Sequence, residues 1–258
     1  MRTIAATLLS FGLLTPALAQ GQPGQAGPTV APSDVQTVSP ALAQYTERGL
    51  LGDVWKRPGL SPRDRSIVTL ATLISRGQTV EMPFHLNLAL DNGVKPAEIS
   101  EIVTQLAFYS GWANATAAIP YVKDAFAKRG IGENQLPKAS PNLLPINEAA
   151  EATRAKFVGD NFGTISPGLV SDTTNFLFKD LWLRPDLAPR DRSLATVSSL
   201  IANGQSAQLT SHLRLGMNNG LSKAEIGEVI SHSAFYAGWP NAFSAMTVAK
   251  SVFEAPPQ

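Results

Sequence analysis

Glu81 and His85 stand four residues apart. On a helix that spacing puts both side chains on one face, within reach of each other. A carboxylate beside an imidazole orients the ring and favours its protonated form, which suits general acid–base work. Two plainer roles fit the same spacing. One is a surface ion pair, worth about 0.3–0.5 kcal/mol; the other is a core histidine with its hydrogen bonds satisfied. Leu88 and Ala89 share the His85 face, so the ring is expected to be half-buried. The chain has three histidines in all, and His212 and His232 complete the acid–base candidates. For binding an anion the candidates are Arg63 and Arg190, each followed two residues later by Arg65 or Arg192. An arginine at a helix start opposes the helix dipole, so it needs a partner: Asp64 or Asp191, or a carboxylate ligand held bidentately. Trp112 and Trp239, each after a glycine, either line a pocket or fill a helix junction.

Composition removes several alternatives. There is no cysteine among the 258 residues, which excludes disulfides, thiol nucleophiles, thiol redox chemistry and thiolate metal sites. Only three histidines are present, and no metal or organic cofactor is implied. Twenty-one basic residues balance 20 acidic ones, so no basic excess exists for nucleic acid. Hydrophobic residues make up 44%, enough for a substantial core.

The elements that must position these residues occur twice. Trp55 recurs as Trp182, Arg63-Asp64-Arg65-Ser66 as Arg190-Asp191-Arg192-Ser193, and His85 as His212. Asn92-Gly93, Ala97-Glu98-Ile99 and Ala107-Phe108-Tyr109 recur in the same way, as does Gly111-Trp112 in Gly238-Trp239, always at an offset of 127. A constant offset without gaps marks a tandem duplication, read as two similar units about a pseudo-twofold axis. Both copies read as helices. Ser61-Pro62-Arg63-Asp64 has a cap, a first-position proline and an early acid, and Ile67–Ile74 is almost wholly apolar. Further helices are expected from about Val80 to Asp91, from Pro96 to near Gly111, from Ala113 to Lys128, and from Ile146 to Phe157. Strand-type alternation is absent, so the fold class is all-α. The copies differ around the imidazole: Glu81 corresponds to Gln208, Asn87 to Arg214, and Gln105 to His232.

Arg2, the apolar run Ile4–Leu14 and Pro16-Ala-Leu-Ala19 read as an export signal over residues 1–19, directing the chain to the periplasm or outside. After cleavage no segment is apolar enough to span a membrane. The expected organisation is a flexible linker over 20–40, repeat 1 over 41–130, a linker over 131–145 and repeat 2 over 146–254.

Gly52-Asp-Val-Trp55, Arg63-Asp64-Arg65, Glu81-x-x-x-His85, Asn92-Gly93 and Ala107-Phe108-Tyr109-x-Gly111-Trp112, with their second copies, resemble the carboxymuconolactone decarboxylase family. The resemblance covers about Gln44 to Phe253. It implies an AhpD-like helical fold that assembles into trimers or hexamers of single domains, so that a tandem chain would form a homo-oligomer, a trimer of tandem chains. The peroxidase branch of that family uses a Cys-x-x-Cys pair before a histidine. Here Glu81-Met-Pro-Phe84 and Gln208-Leu-Thr-Ser211 occupy those places, so peroxiredoxin-type chemistry is physically unsupported. The decarboxylase branch implies a lyase without a cofactor, acting on a small organic acid or lactone, with His85 as proton shuttle and Arg63 or its counterpart holding a carboxylate. Two other readings remain open: an exported small-molecule-binding or scaffold protein that has lost catalysis, and a lyase or isomerase acting on another cyclic acid.

Overall fold

The computed structural model describes residues 31–255, among which there is no strand. The expected signal over 1–19 and most of the 20–40 linker lie outside the described residues. The linker's last part is not irregular: α1 spans Pro32–Val38 and α2 Pro40–Gln44, each opened by a proline at a first-turn position and neither burying a residue.

The first copy continues as α3 (Pro62–Ser75), α4 (Met82–Asp91), α5 (Pro96–Ser110) and α6 (Trp112–Lys128). The second contains α7 (Glu148–Phe162), α8 (Pro167–Asp172), α9 (Pro189–Ala202), α10 (Ser206–Asn218), α11 (Lys223–Ala237) and α12 (Trp239–Glu254). A π-helical turn and a short 3₁₀ turn carrying Trp55 or Trp182 precede α3 and α9. Local chemistry explains the boundaries. Ser61 caps α3 by accepting from the Asp64 N–H at 3.1 Å. The break at Gly111 and Gly238 demands φ near +91° and +93°, which only glycine adopts without strain, and it turns α5 into α6 and α11 into α12.

From Asp64 to Ser75 every residue of α3 is buried, and α9 is buried likewise from Asp191 to Ala202. These two helices pack on each other at the centre. α5 lies against α9 of the other copy, and α11 against α3. The copies therefore share one continuous core, with Ile67, Leu70, Leu86 and Ile102 from one and Leu194, Ile201, Leu213 and Ile226 from the other. Polar residues on the central helices return their hydroxyls to the backbone, as Thr69 does to the Arg65 carbonyl at 2.9 Å and Ser198 to Leu194 at 2.7 Å.

The pseudo-twofold axis is visible in reciprocal ion pairs. Arg63 donates to Asp191 at 2.7 Å, and Arg190 donates to Asp64 at 2.8 Å. Each arginine also reaches a glutamate of its own copy, Glu98 or Glu225. Such pairwise exchange is what an isologous interface produces. No helix among the described residues is long and apolar enough to cross a membrane.

Candidate active site

The interleaving of α3, α5, α9 and α11 builds two matched constellations, each drawing on both copies. In the first, Glu81 immediately precedes α4 and His85 lies one turn into it. Their closest approach is 3.5 Å, from the imidazole Nε2 to the carboxylate. Glu81 is 63% exposed and His85 only 5% at the side chain. The imidazole beside Glu81 holds its carboxyl below the usual glutamate range, against the opposing effect of partial burial. The other ring nitrogen, His85 Nδ1, is buried without a hydrogen-bond partner.

Three aromatic side chains surround that ring. Trp55 stacks on it at 6.1 Å, Phe84 meets it edge-on at 4.9 Å, and Tyr236 of the second copy does so at 5.4 Å. The Trp55 indole donates to the Tyr236 hydroxyl at 2.9 Å, tying the two walls together. Burial pushes the Tyr236 phenol well above its ordinary value, so at neutral pH it remains a hydroxyl. Behind this cage His232 lies 5.1 Å from both Trp55 and Tyr236.

The second constellation repeats the geometry with different chemistry. His212 is stacked by Trp182 at 6.2 Å and met edge-on by Tyr109 of the first copy at 5.2 Å. Trp182 donates to the Tyr109 hydroxyl at 2.9 Å. Gln208 stands where Glu81 stands in the first, so no carboxylate faces the ring. Burial alone pulls His212 down to about 4, which keeps it neutral at physiological pH.

Arg63 and Arg190 are placed differently from a substrate clamp. Both sit at the starts of central helices, where two guanidiniums meet four carboxylates: Asp64, Asp191, Glu98 and Glu225. The surplus of negative charge there opposes an incoming anion. Of the two roles weighed from sequence, the structural pairing is the one the geometry fits. His232 is fully buried with both ring nitrogens engaged, by Arg65 at 3.4 Å and Thr69 at 2.8 Å, which leaves none for a reacting proton. Trp112 and Trp239 do not fill a junction: both are more than half exposed and pack against Phe108 and Phe235. Trp239 lines a cleft of about 320 Å³ together with Phe235, Phe243, Met246, Ser231 and Arg57, and His85 is not among its walls.

Sequence reasoning passed over the residues that make the cage. Trp55, Tyr109, Trp182 and Tyr236 all recur at the 127-residue offset, yet the two tyrosines meet their histidines only because the copies interlock. The buried supports behave the same way. Glu101 receives four hydrogen bonds from Arg184 and Arg192, and Glu228 receives one from Arg65. Among the described residues no cluster of His, Asp or Glu is arranged to hold a metal ion.

Comparison with known proteins bears on this architecture at three levels. The model of the carboxymuconolactone decarboxylase family matches twice, over residues 40–124 and 167–251. A 4-carboxymuconolactone decarboxylase from Acinetobacter baylyi is 36% identical over 95 residues, covering 37% of this chain and 71% of the relative. The nitrosuccinic acid decarboxylase NpaB of Metarhizium robertsii is 36% identical over 75 residues, covering 29% of this chain and 52% of that one. A crystal structure of a candidate gamma-carboxymuconolactone decarboxylase subunit from Burkholderia xenovorans LB400 superposes with a TM-score of 0.55. It covers 90% of this chain and 94% of the other at 15% identity, a likeness of fold. With two family matches, the repeated helical unit and relatives in common, the chain belongs to the carboxymuconolactone decarboxylase family, as a tandem member without cysteine.

Proposed function

We propose that the protein is a decarboxylase of a small organic acid, a lactone acid included, and that its chemistry is confined to the His85 half. The observation that carries this reading is the asymmetry of the two cages: only His85 has a carboxylate against its ring. Loss of CO₂ from R–CO₂⁻ breaks the C–C bond and leaves its electron pair on R. That carbon must then take a proton, giving R–H. Glu81 faces His85 Nε2, so Nδ1 is the nitrogen left to deliver the proton. Exposed Glu81 also connects the ring with water, from which the consumed proton is replaced. The aromatic cage supplies a dry surface on which developing charge is poorly screened by solvent. Reaching Nδ1 requires a cage side chain to move, and Phe84, 56% exposed, is the most solvent-exposed of the three.

The names of the two curated relatives supply the probes: 4-carboxymuconolactone and nitrosuccinic acid. Release of CO₂ from either is measured with the wild type and with His85→Ala, Glu81→Gln and His212→Gln. General acid–base catalysis contributes about 10²–10⁴ in rate, so His85→Ala is expected to lose at least about 100-fold. His212→Gln should stay within about threefold of wild type. Equal losses at His85 and His212 would overturn the assignment to one half.

A binding protein without turnover is the second reading, favoured by the near-complete burial of His85 and by a cleft that excludes it. Ligand-induced shifts without CO₂ release would support it. We also propose export through residues 1–19, tested by fractionation, and self-association into a trimer, tested by light scattering. Exposed Phe108, Trp112 and Trp239 are apolar surface in keeping with such an assembly.

A further inference from the structure

We infer that His232 is a positioning residue, locked as the neutral imidazole with its proton on Nε2, and that Gln105 is its hydrogen-bond equivalent in the other half. The argument is one of donors and acceptors. Arg65 is a donor only, and its Nη1 lies 3.4 Å from His232 Nδ1, so that nitrogen must be the acceptor. On the opposite side Nε2 lies 2.8 Å from the Thr69 hydroxyl. The single hydroxyl proton of Thr69 is directed to the Arg65 carbonyl at 2.9 Å, so its oxygen accepts from the ring. The two sides independently require the same tautomer. Burial opposes a second ring proton, and the Arg65 guanidinium it would face adds to the cost; together they pull His232 down to about 3.

The other copy makes the same connections without an imidazole. Gln105 accepts from Arg192 Nη1 at 3.0 Å through its side-chain carbonyl, and donates its amide N–H to the Thr196 hydroxyl at 3.1 Å. Arg192 and Thr196 are the counterparts of Arg65 and Thr69 at the 127-residue offset. An amide therefore replaces the ring, one acceptor and one donor for one acceptor and one donor. What His232 adds is shape. Its ring supports Trp55 and Tyr236, which in turn enclose His85. It acts on the reacting imidazole through those two walls, with its own proton fixed on Thr69.

This inference concerns the site proposed above and depends on that reading only for its activity readout. With three histidines in the chain, ¹⁵N-labelled imidazole resonances can be assigned by substitution and followed from pH 5 to 8. The expected result for His232 is an unchanging Nε2-protonated neutral ring. Titration in that range, or an Nδ1-protonated ring, would overturn the inference whether or not the protein turns over an acid. His232→Gln should melt within about 2 °C of wild type, whereas His232→Leu, which strands Arg65 and Thr69, should melt far lower. On any acid that is turned over, His232→Gln, which keeps the hydrogen bonds but loses the ring that backs Trp55 and Tyr236, should lower kcat by less than about tenfold with an unshifted pH profile. A folded His232→Gln as inactive as His85→Ala would show that the imidazole itself transfers a proton, and would also overturn the inference.

Discussion

The two matched Arg–Glu supports, one fully buried and one reached by solvent, make a controlled comparison inside one molecule. Glu101 is fully buried and accepts from Arg184 Nε at 3.0 and 3.1 Å, from Arg184 Nη2 at 2.8 Å and from Arg192 Nη2 at 2.7 Å. Its counterpart Glu228 keeps 24% of its side chain exposed and accepts only from Arg65, at 2.8 Å. The difference arises because Arg57, unlike Arg184, turns outward to Asp53 and Ser231. Replacing Glu101 by Gln presents N–H groups to guanidiniums and leaves fully buried Arg192 without its counter-charge. Removing one partner of a buried pair costs about 3–5 kcal/mol. Glu228→Gln also strips the counter-charge from fully buried Arg65, but at a carboxylate that water reaches and that accepts one bond rather than four, so its cost is smaller, about 1–2 kcal/mol. For a chain of this size each kcal/mol shifts Tm by about 2–4 °C, so Glu101→Gln should fall by about 6–20 °C and Glu228→Gln by about 2–8 °C. Circular dichroism melts at pH 7, paired with urea titrations, measure both. Burial opposes ionisation of Glu101, yet the two arginines outweigh it and hold its carboxyl below the ordinary value of 4.5. The stabilisation is therefore present above about pH 4.5 and is lost as pH falls through the folded-state value, so the gap between wild type and Glu101→Gln should close in acid. Equal losses from the two substitutions, or a gap that widens in acid, would refute the reasoning.

The remaining predictions address the other parts of the molecule. Arg63→Gln and Arg190→Gln should each lower stability by about 1–2 kcal/mol by breaking the reciprocal pairs, while KM for any acid turned over stays within about twofold; a large rise in KM at unchanged Tm would restore them as substrate ligands. His212 takes up its proton near 6.5 when unfolded but only near 4 when folded, so its contribution to stability is full above pH 6.5 and declines as pH falls toward 4. His212→Gln should flatten that part of the stability profile in pH-dependent melts. Gly238→Ala forces a Cβ onto φ near +93° and should cost about 1–3 kcal/mol by the same melts. Thiol-dependent hydroperoxide reduction should be absent, and any peroxide consumption seen should be indifferent to an alkylating reagent, since the chain has no sulfhydryl.

Helix existence was legible because it depends on neighbours in sequence. Ser61-Pro62 and Asn92-Gly93 mark an end each, and both ends occur at those residues. The asparagine does more than stop a helix: Asn92 donates to Ser66 at 3.0 Å and Asn219 to Ser193 at 2.9 Å, tying each helix end to the buried helix beside it. The doubled Asn-Gly hinted at that duty without identifying the partner. The Glu81–His85 contact was legible for the same local reason, although Glu81 falls just before the helix rather than within it. What could not be read was every contact that crosses between copies. Tyr236 reaches His85, and Arg63 reaches Asp191, only after α3 and α9 have packed together. The exposure of Trp112 and Trp239 was missed because an aromatic after a helix break reads alike whether it faces inward or outward.

Because Tyr236 closes the His85 cage and Tyr109 closes that of His212, severing the chain between its repeats would leave each fragment with an unfinished centre. Covalent fusion guarantees that every molecule holds one of each half in fixed proportion. On the proposed reading a single working centre suffices for the whole and the other serves as framework, in keeping with Gln208 standing where the first copy has Glu81.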